Sequence, residues 1–138
     1  MRQASTTLRF DTSGRGLVDI THAVEQWVTQ VAIEEGLLTL LCRHTSASLL
    51  IQENAARAVQ TDLLAWFDRI APEGSYYTHD DEGADDMPAH LRATLTGVNL
   101  QIPVFAGRLR LGTWQGIYLA EHRRAPHRRE IAAHIVGE

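Results

Sequence analysis

The chain contains no lysine: all 13 of its basic residues are arginine. That absence removes Schiff-base chemistry, a lysine general base and the lysine-bearing phosphate loop from the candidate chemistries. Arginine can still clamp a phosphate with two parallel hydrogen bonds. Cysteine is almost as scarce. The single one, Cys42, excludes an internal disulfide and a cysteine-based zinc site, and within LLTLLC it reads as a small buried hydrophobe. No apolar run reaches membrane-spanning length, and MRQASTTLRF lacks the charged and hydrophobic regions of a signal peptide, so we expect a cytoplasmic protein with no membrane partner. The net charge of −4 and pI of 5.9 argue against a nucleic-acid partner, whose footprint would be a basic patch, but leave small anions open.

What is present fits one folded domain. At 138 residues, 44% hydrophobic and 22% charged, the chain suits a single domain over 1–138 without long disorder. Such a length buries roughly two-thirds of the unfolded surface. Thr6, Leu8 and Phe10 alternate with Ser5, Thr7 and Arg9 as in a half-buried strand. Thr21 is placed to cap a helix carrying Val24, Trp27, Val28 and Val31, which Gly36 ends. Leu37 to Cys42 reads as a strand buried on both faces. Ala47, Leu49 and Ile51 alternate with Ser46, Ser48, Leu50 and Gln52, which reads as a further strand with one polar-leaning face near its start. Asn54 is placed to cap a second helix with an apolar stripe from Ala56 to Ile70, closed by Pro72 and Gly74.

Residues 73–88 have neither period and form a loop of functional length. Asp86 and Pro88 open a short helix that Gly97 stops. Val98 to Val104 and Arg129 to Val136 read as strands. Between them, 106–124 is too rich in glycine and polar groups for a purely structural strand, and Gly112 and Gly116 mark either a bulge, a close approach or a hairpin turn. The mixture, without strict alternation, predicts an α+β fold with mixed or antiparallel sheets and about three helices.

Seven histidines invite a metal reading. No pair has HExxH spacing, so ligands must be gathered by tertiary folding. His44, His79, His90 and His122 are the better candidates, because each borders an apolar element or lies in the loop. Asp80, Asp81, Asp85 and Asp86 offer oxygen ligands suited to magnesium, although Asp86 also suits a helix N-terminus. Ser46 and Ser48 stand near His44, but no GxSxG elbow surrounds them.

Taken together and in order, HTSASLLIQENA, DDMPAHLRATLTG and LGTWQGIYLAEHR resemble the YjbQ family, described as secondary thiamine-phosphate synthases. The resemblance implies a small cytoplasmic α+β protein, usually a homotrimer with sites near subunit boundaries. The implied activity joins a hydroxymethylpyrimidine diphosphate to a thiazole phosphate and releases pyrophosphate. The family's polar signature falls on His44, Ser46, Asn54, Asp62, His79, Asp86, His90, Gln115, Glu121 and His122. From it we assign Glu121, Asp62, Ser46 and Gln115 to catalysis. The metal ligands are His44, His79, His90, His122 and Asp86, and Asn54 and Arg110 serve in binding. Without lysine, the diphosphate must be met by Arg92, Arg108, Arg110 or Arg123.

The leading expectation is a magnesium- or zinc-assisted transferase of small phosphorylated heterocycles, since departing pyrophosphate needs its charge neutralised. A zinc-type hydrolase and a non-catalytic binding module for a small metabolite are the alternatives. Glu121 is expected to carry a raised pKa and to act as a general base, with little role in stability.

Overall fold

The computed structural model describes residues 1–138. Two strands, β1 (Arg2–Thr12) and β2 (Gly16–Asp19), lead into α1 (Thr21–Val31). Then come β3 (Glu35–Cys42), β4 (Ala47–Glu53), α2 (Arg57–Ile70) and α3 (Asp86–Thr96), and the chain closes with β5 (Asn99–Phe105), β6 (Arg108–Leu109), β7 (Gln115–Glu121) and β8 (His127–Gly137). Every ladder is antiparallel. One sheet has the order β1-β8-β3-β5-β6 and the other β2-β7-β4, which makes the fold α+β.

Period-2 patterning explains the sheets. Ile131, Ala133 and Ile135 of β8 alternate inward with Leu38 and Leu40 of β3, and both strands meet Leu49, Ile117 and Leu119 of the second sheet in one apolar cluster. Val24 and Val28 of α1 close it. Truncating such a side chain, as in Leu49→Ala, costs about 2–5 kcal/mol through lost transfer energy and the residual cavity.

Several local expectations are corrected. The alanine Ala32, in the left-handed region at φ 58°, ends α1. Gly36 lies inside β3, where a Cβ would collide with the Val136 carbonyl, so close strand approach is what requires glycine there. Thr21 does not cap α1; its hydroxyl donates to Asp19 and accepts from the Ile117 N–H. Asn54 caps nothing either, because α2 starts three residues later and Glu53 Oε2 accepts the Ala55 and Ala56 N–H groups. β3 is buried on one face only: Leu41 is 43% exposed on the other. The stretch 106–124 is two elements, since β6 is two residues long and a turn at Gly112 precedes β7.

Two placements matter for the site. β7 is the centre of the smaller sheet and ends at Glu121, opposite Gly16 on one side and Ala47 on the other. α3 packs beside β4, where the Leu49 N–H donates to the Gly97 carbonyl. The N-terminus of α3, the end of β7 and the start of β4 therefore share one corner.

Candidate metal centre

Asp86 is the first residue of α3 and His90 lies one helical turn on, so both side chains project from the same face. His79 reaches them from the loop before the helix. Its Nε2 lies 2.8 Å from Asp86 Oδ2, and His90 Nε2 lies 3.2 Å from the same oxygen. The two rings are tilted against each other with centroids 5.6 Å apart. Asp86 is buried, and its Oδ1 accepts from Arg123 Nη1 at 2.7 Å. Arg123 also donates to Asp85, which in turn accepts the Arg124 N–H.

The electrostatics follow from these contacts. Burial would raise the Asp86 pKa, but the His79 hydrogen bond and the charges of His90 and Arg123 outweigh it and leave it lowered. At Asp85, burial is likewise outweighed by donors from Arg124 and Arg123. The hydrogen bond to Asp86, helped by Asp81 and Glu82, raises the pKa of His79.

The donor set fits a divalent metal on one specific observation. His90 Nδ1 stands 3.0 Å from the Thr45 carbonyl, which only accepts, so Nδ1 carries the proton. In a neutral ring Nε2 is then a bare lone pair facing a carboxylate oxygen, an arrangement that requires a proton or a cation between them. Two imidazole nitrogens and one carboxylate oxygen, all within 4.8 Å of one another, supply three ligands. Ligand bonds of about 2.0–2.1 Å in a tetrahedron separate donor atoms by roughly 3.3 Å. The His90–Asp86 spacing matches that value, and His79 sits closer, at hydrogen-bond distance.

Glu121, expected to be a base, is instead a buried anion, 1% exposed. Oε1 accepts from Thr12 Oγ1 at 2.6 Å and Arg129 Nε at 2.7 Å, while Oε2 accepts from Arg129 Nη2 at 2.5 Å and the Arg123 N–H at 3.1 Å. Burial would raise its pKa, but these donors outweigh it and hold it below the usual carboxylate value. The expected raised pKa is thus reversed.

His122 is also buried, but away from the metal cluster. Its Nε2 is 2.8 Å from Ser48 Oγ, and Ser48 accepts from Thr96 Oγ1 at 2.6 Å. The ring meets Phe67 edge-on at 5.5 Å. Burial first, then the charge of Arg92, pushes its pKa down to about 4, so it is neutral. A histidine faces a serine here, yet Ser48 is fully buried and no substrate reaches it.

The four histidines expected in one pocket therefore divide. His79 and His90 converge, His122 binds Ser48, and His44 Nε2 accepts the Glu130 N–H at 2.8 Å, leaving that nitrogen no lone pair for a metal. Ser46 Oγ accepts from Arg129 Nη2 at 3.0 Å. The Gln115 side chain accepts the Gly112 N–H at 2.7 Å and fastens the turn. Asp62 is exposed on α2. Asn54 is exposed too, and its side chain makes only a 3.5 Å contact to the Gln115 carbonyl. Arg110 lies over the Phe105 ring at the edge of the large sheet. Arg92 is buried against Asp68 and the Ala71 carbonyl, so neither it nor Arg123 is free for a diphosphate.

Arg129, Thr12 and Thr45 escaped sequence reading. The first carried a signal: it falls in register with the inward positions Ile131, Ala133 and Ile135, and a charge on an apolar face implies a buried partner.

Residues 6–138 match the model of a family described as UPF0047 protein YjbQ-like. A UPF0047 protein of Synechocystis is 47% identical over 138 residues, covering 99% of this chain and 94% of its own. The UPF0047 protein YjbQ of Salmonella typhimurium is 44% identical, covering 96% of each. Among solved structures, a YbjQ-like protein of unknown function from Sulfolobus solfataricus superposes with a TM-score of 0.88 at 28% identity, over 99% of this chain and 100% of that one. A conserved hypothetical protein from Thermus thermophilus gives 0.82 at 37% identity, over 93% and 97%.

Proposed function

The chain belongs to the YjbQ-like UPF0047 family, and from that footing we propose that it is a metal-dependent enzyme whose ion is held by His79, Asp86 and His90. The observation that carries this reading is the convergence of His79 Nε2, His90 Nε2 and Asp86 Oδ2 within 4.8 Å of one another, with the Thr45 carbonyl holding His90 Nδ1 so that Nε2 faces Asp86. Nitrogen ligands favour a transition metal such as zinc over magnesium, which prefers an all-oxygen shell. Three protein ligands leave a position open, as in catalytic rather than structural zinc sites. Such an ion would supply Lewis acidity toward a phosphoryl or carbonyl oxygen.

The chain's own groups have separable tasks. Asp86 and His90 are held by Arg123 and Thr45, so the ligands are preorganised. His79 comes from the exposed side and leaves the centre open to solvent. Glu82, exposed beside His79, is the carboxylate placed to take a proton there. Glu121 lies behind the centre and fixes Arg123 through its N–H.

This donor set favours hydrolysis of a small substrate. Thiamine-phosphate synthesis is the second reading, supported by the resemblance of HTSASLLIQENA, DDMPAHLRATLTG and LGTWQGIYLAEHR to that family. A cytoplasmic homotrimer is proposed with it; Leu41, Trp66, Ile70 and Phe105 are exposed apolar side chains that self-association would cover. No helix is long and apolar enough to cross a membrane.

Assays before and after chelation separate the readings. Zinc-restored turnover of phosphate esters supports hydrolysis, and metal-restored joining of the pyrimidine and thiazole phosphates supports synthesis. Tight metal binding with neither activity leaves a binding module, and activity indifferent to chelation overturns the proposal.

A further inference from the structure

Between the β3–β4 connection and β8 lies a wide-mouthed, open cavity of about 500 Å³ lined by Cys42, Arg43, His44, Thr45, Ser46 and Arg129. In a chain with net charge −4, none of these side chains is acidic. We infer that this cavity is a phosphate subsite, in which Arg129 Nη1 and the His44 ring are the principal donors to a substrate's phosphate group.

Arg129 is the main support. Glu121 engages it side-on through Nε and Nη2, and Nη2 also donates to Ser46. Nη1 is thus the one guanidinium nitrogen without a protein acceptor, on a residue only 4% exposed that lines the cavity. The residue is buried but Nη1 itself reaches the cavity, so it can donate to an anion there without giving up a protein partner. His44 adds a second donor. Its Nε2 accepts the Glu130 N–H, so the ring's proton sits on Nδ1. Burial first, then the Arg129 charge, lower the His44 pKa and so favour the neutral ring. The Thr45 and Ser46 hydroxyls complete a donor-rich wall.

The location gives the subsite a use. Thr45, on its wall, is also the residue whose carbonyl orients His90. A second cavity of about 490 Å³ lies against His44 and Thr45 and is lined by His90. A phosphorylated substrate anchored beside Arg129 would have its remainder directed along His44 and Thr45 toward the metal. That role rests on the metal reading; the phosphate site itself does not.

The test is a titration of chelator-treated, metal-free protein with inorganic phosphate, followed by amide chemical shifts. Saturable shifts at Arg43 to Ser46, with acetate much weaker, are expected. Arg129→Lys keeps a cation for Glu121 but removes Nη1, and Thr45→Glu places a carboxylate on the wall from an exposed position. Each should weaken phosphate binding by about tenfold or more, as for loss of a charge-assisted bond. If Arg129→Lys does not fold, Thr45→Glu decides. Shifts centred on His79 and His90, affinity unchanged in the variants, or acetate binding as tightly as phosphate would overturn the assignment. Because no metal is present, success or failure here is independent of the metal centre.

Discussion

Both carboxylate oxygens of Glu121 are bound by the Arg129 guanidinium, at 2.7 Å to Nε and 2.5 Å to Nη2, with neither residue more than 4% exposed. The pair joins the smaller sheet, through the end of β7, to the start of β8 in the larger one. Removing one partner from such a pair leaves the other charged and desolvated, which typically costs about 3–5 kcal/mol. Glu121→Gln should therefore destabilise the protein by about that amount in urea unfolding. A variant of unchanged stability but abolished turnover would instead restore Glu121 to a catalytic role.

Acid sensitivity should track His122. Its folded pKa of about 4 lies below the ordinary histidine value of 6.5, so between these values the unfolded chain binds the extra proton. The stabilisation is complete above pH 6.5 and declines by about 1.4 kcal/mol per pH unit down to about 4, or roughly 3 kcal/mol in all. Glu121, Asp85 and Asp86, with lowered pKa values, add a further loss below the ordinary carboxylate range. His122→Gln should flatten the upper part of this profile. An equally steep decline in that variant would locate the titrating group elsewhere.

Zinc affinity should rise with pH, because His79 must release a proton that Asp86 helps it hold. The same linkage means that His79 stabilises the metal-free fold below its unfolded pKa and ceases to as pH rises through the higher folded value. Calorimetric titration at about pH 6 and about pH 8 checks this, with tighter binding at the higher pH and proton release expected. Affinity independent of pH would exclude His79 as a ligand.

Light scattering at micromolar concentration should give about three times the 15.4 kDa chain mass. Introducing a charge at Ile70 or Leu41, both exposed, should lower it if their faces are the covered ones. A stable wild-type monomer would remove the trimer.

Much of the fold was legible because period and punctuation agree. The alternation of Thr6, Leu8 and Phe10, the apolar run before Cys42 and the stop at Gly97 each describe a local preference that tertiary structure left in place. Legibility failed where a residue serves a distant partner. Gly36 accommodates Val136 rather than ending a helix, and Gln115 holds a turn rather than a substrate. At the site, the i, i+4 pair Asp86 and His90 could be placed on one helix face from spacing alone. His79 joins them and His122 does not, a division made by β7 burying His122 against Ser48 and Phe67. Spacing carries no trace of that.

Metal content decides whether His79, Asp86 and His90 form a metal centre. Protein purified without chelator, or metal-free protein given one equivalent of zinc and then dialysed, should retain about one transition metal per chain by elemental mass spectrometry, as one three-ligand centre requires. Asp86→Asn and His90→Ala should each lose it, and His44→Ala should keep it. Protein that retains none, or an Asp86→Asn variant that holds the metal as well as the parent, would rule out a metal centre at these residues.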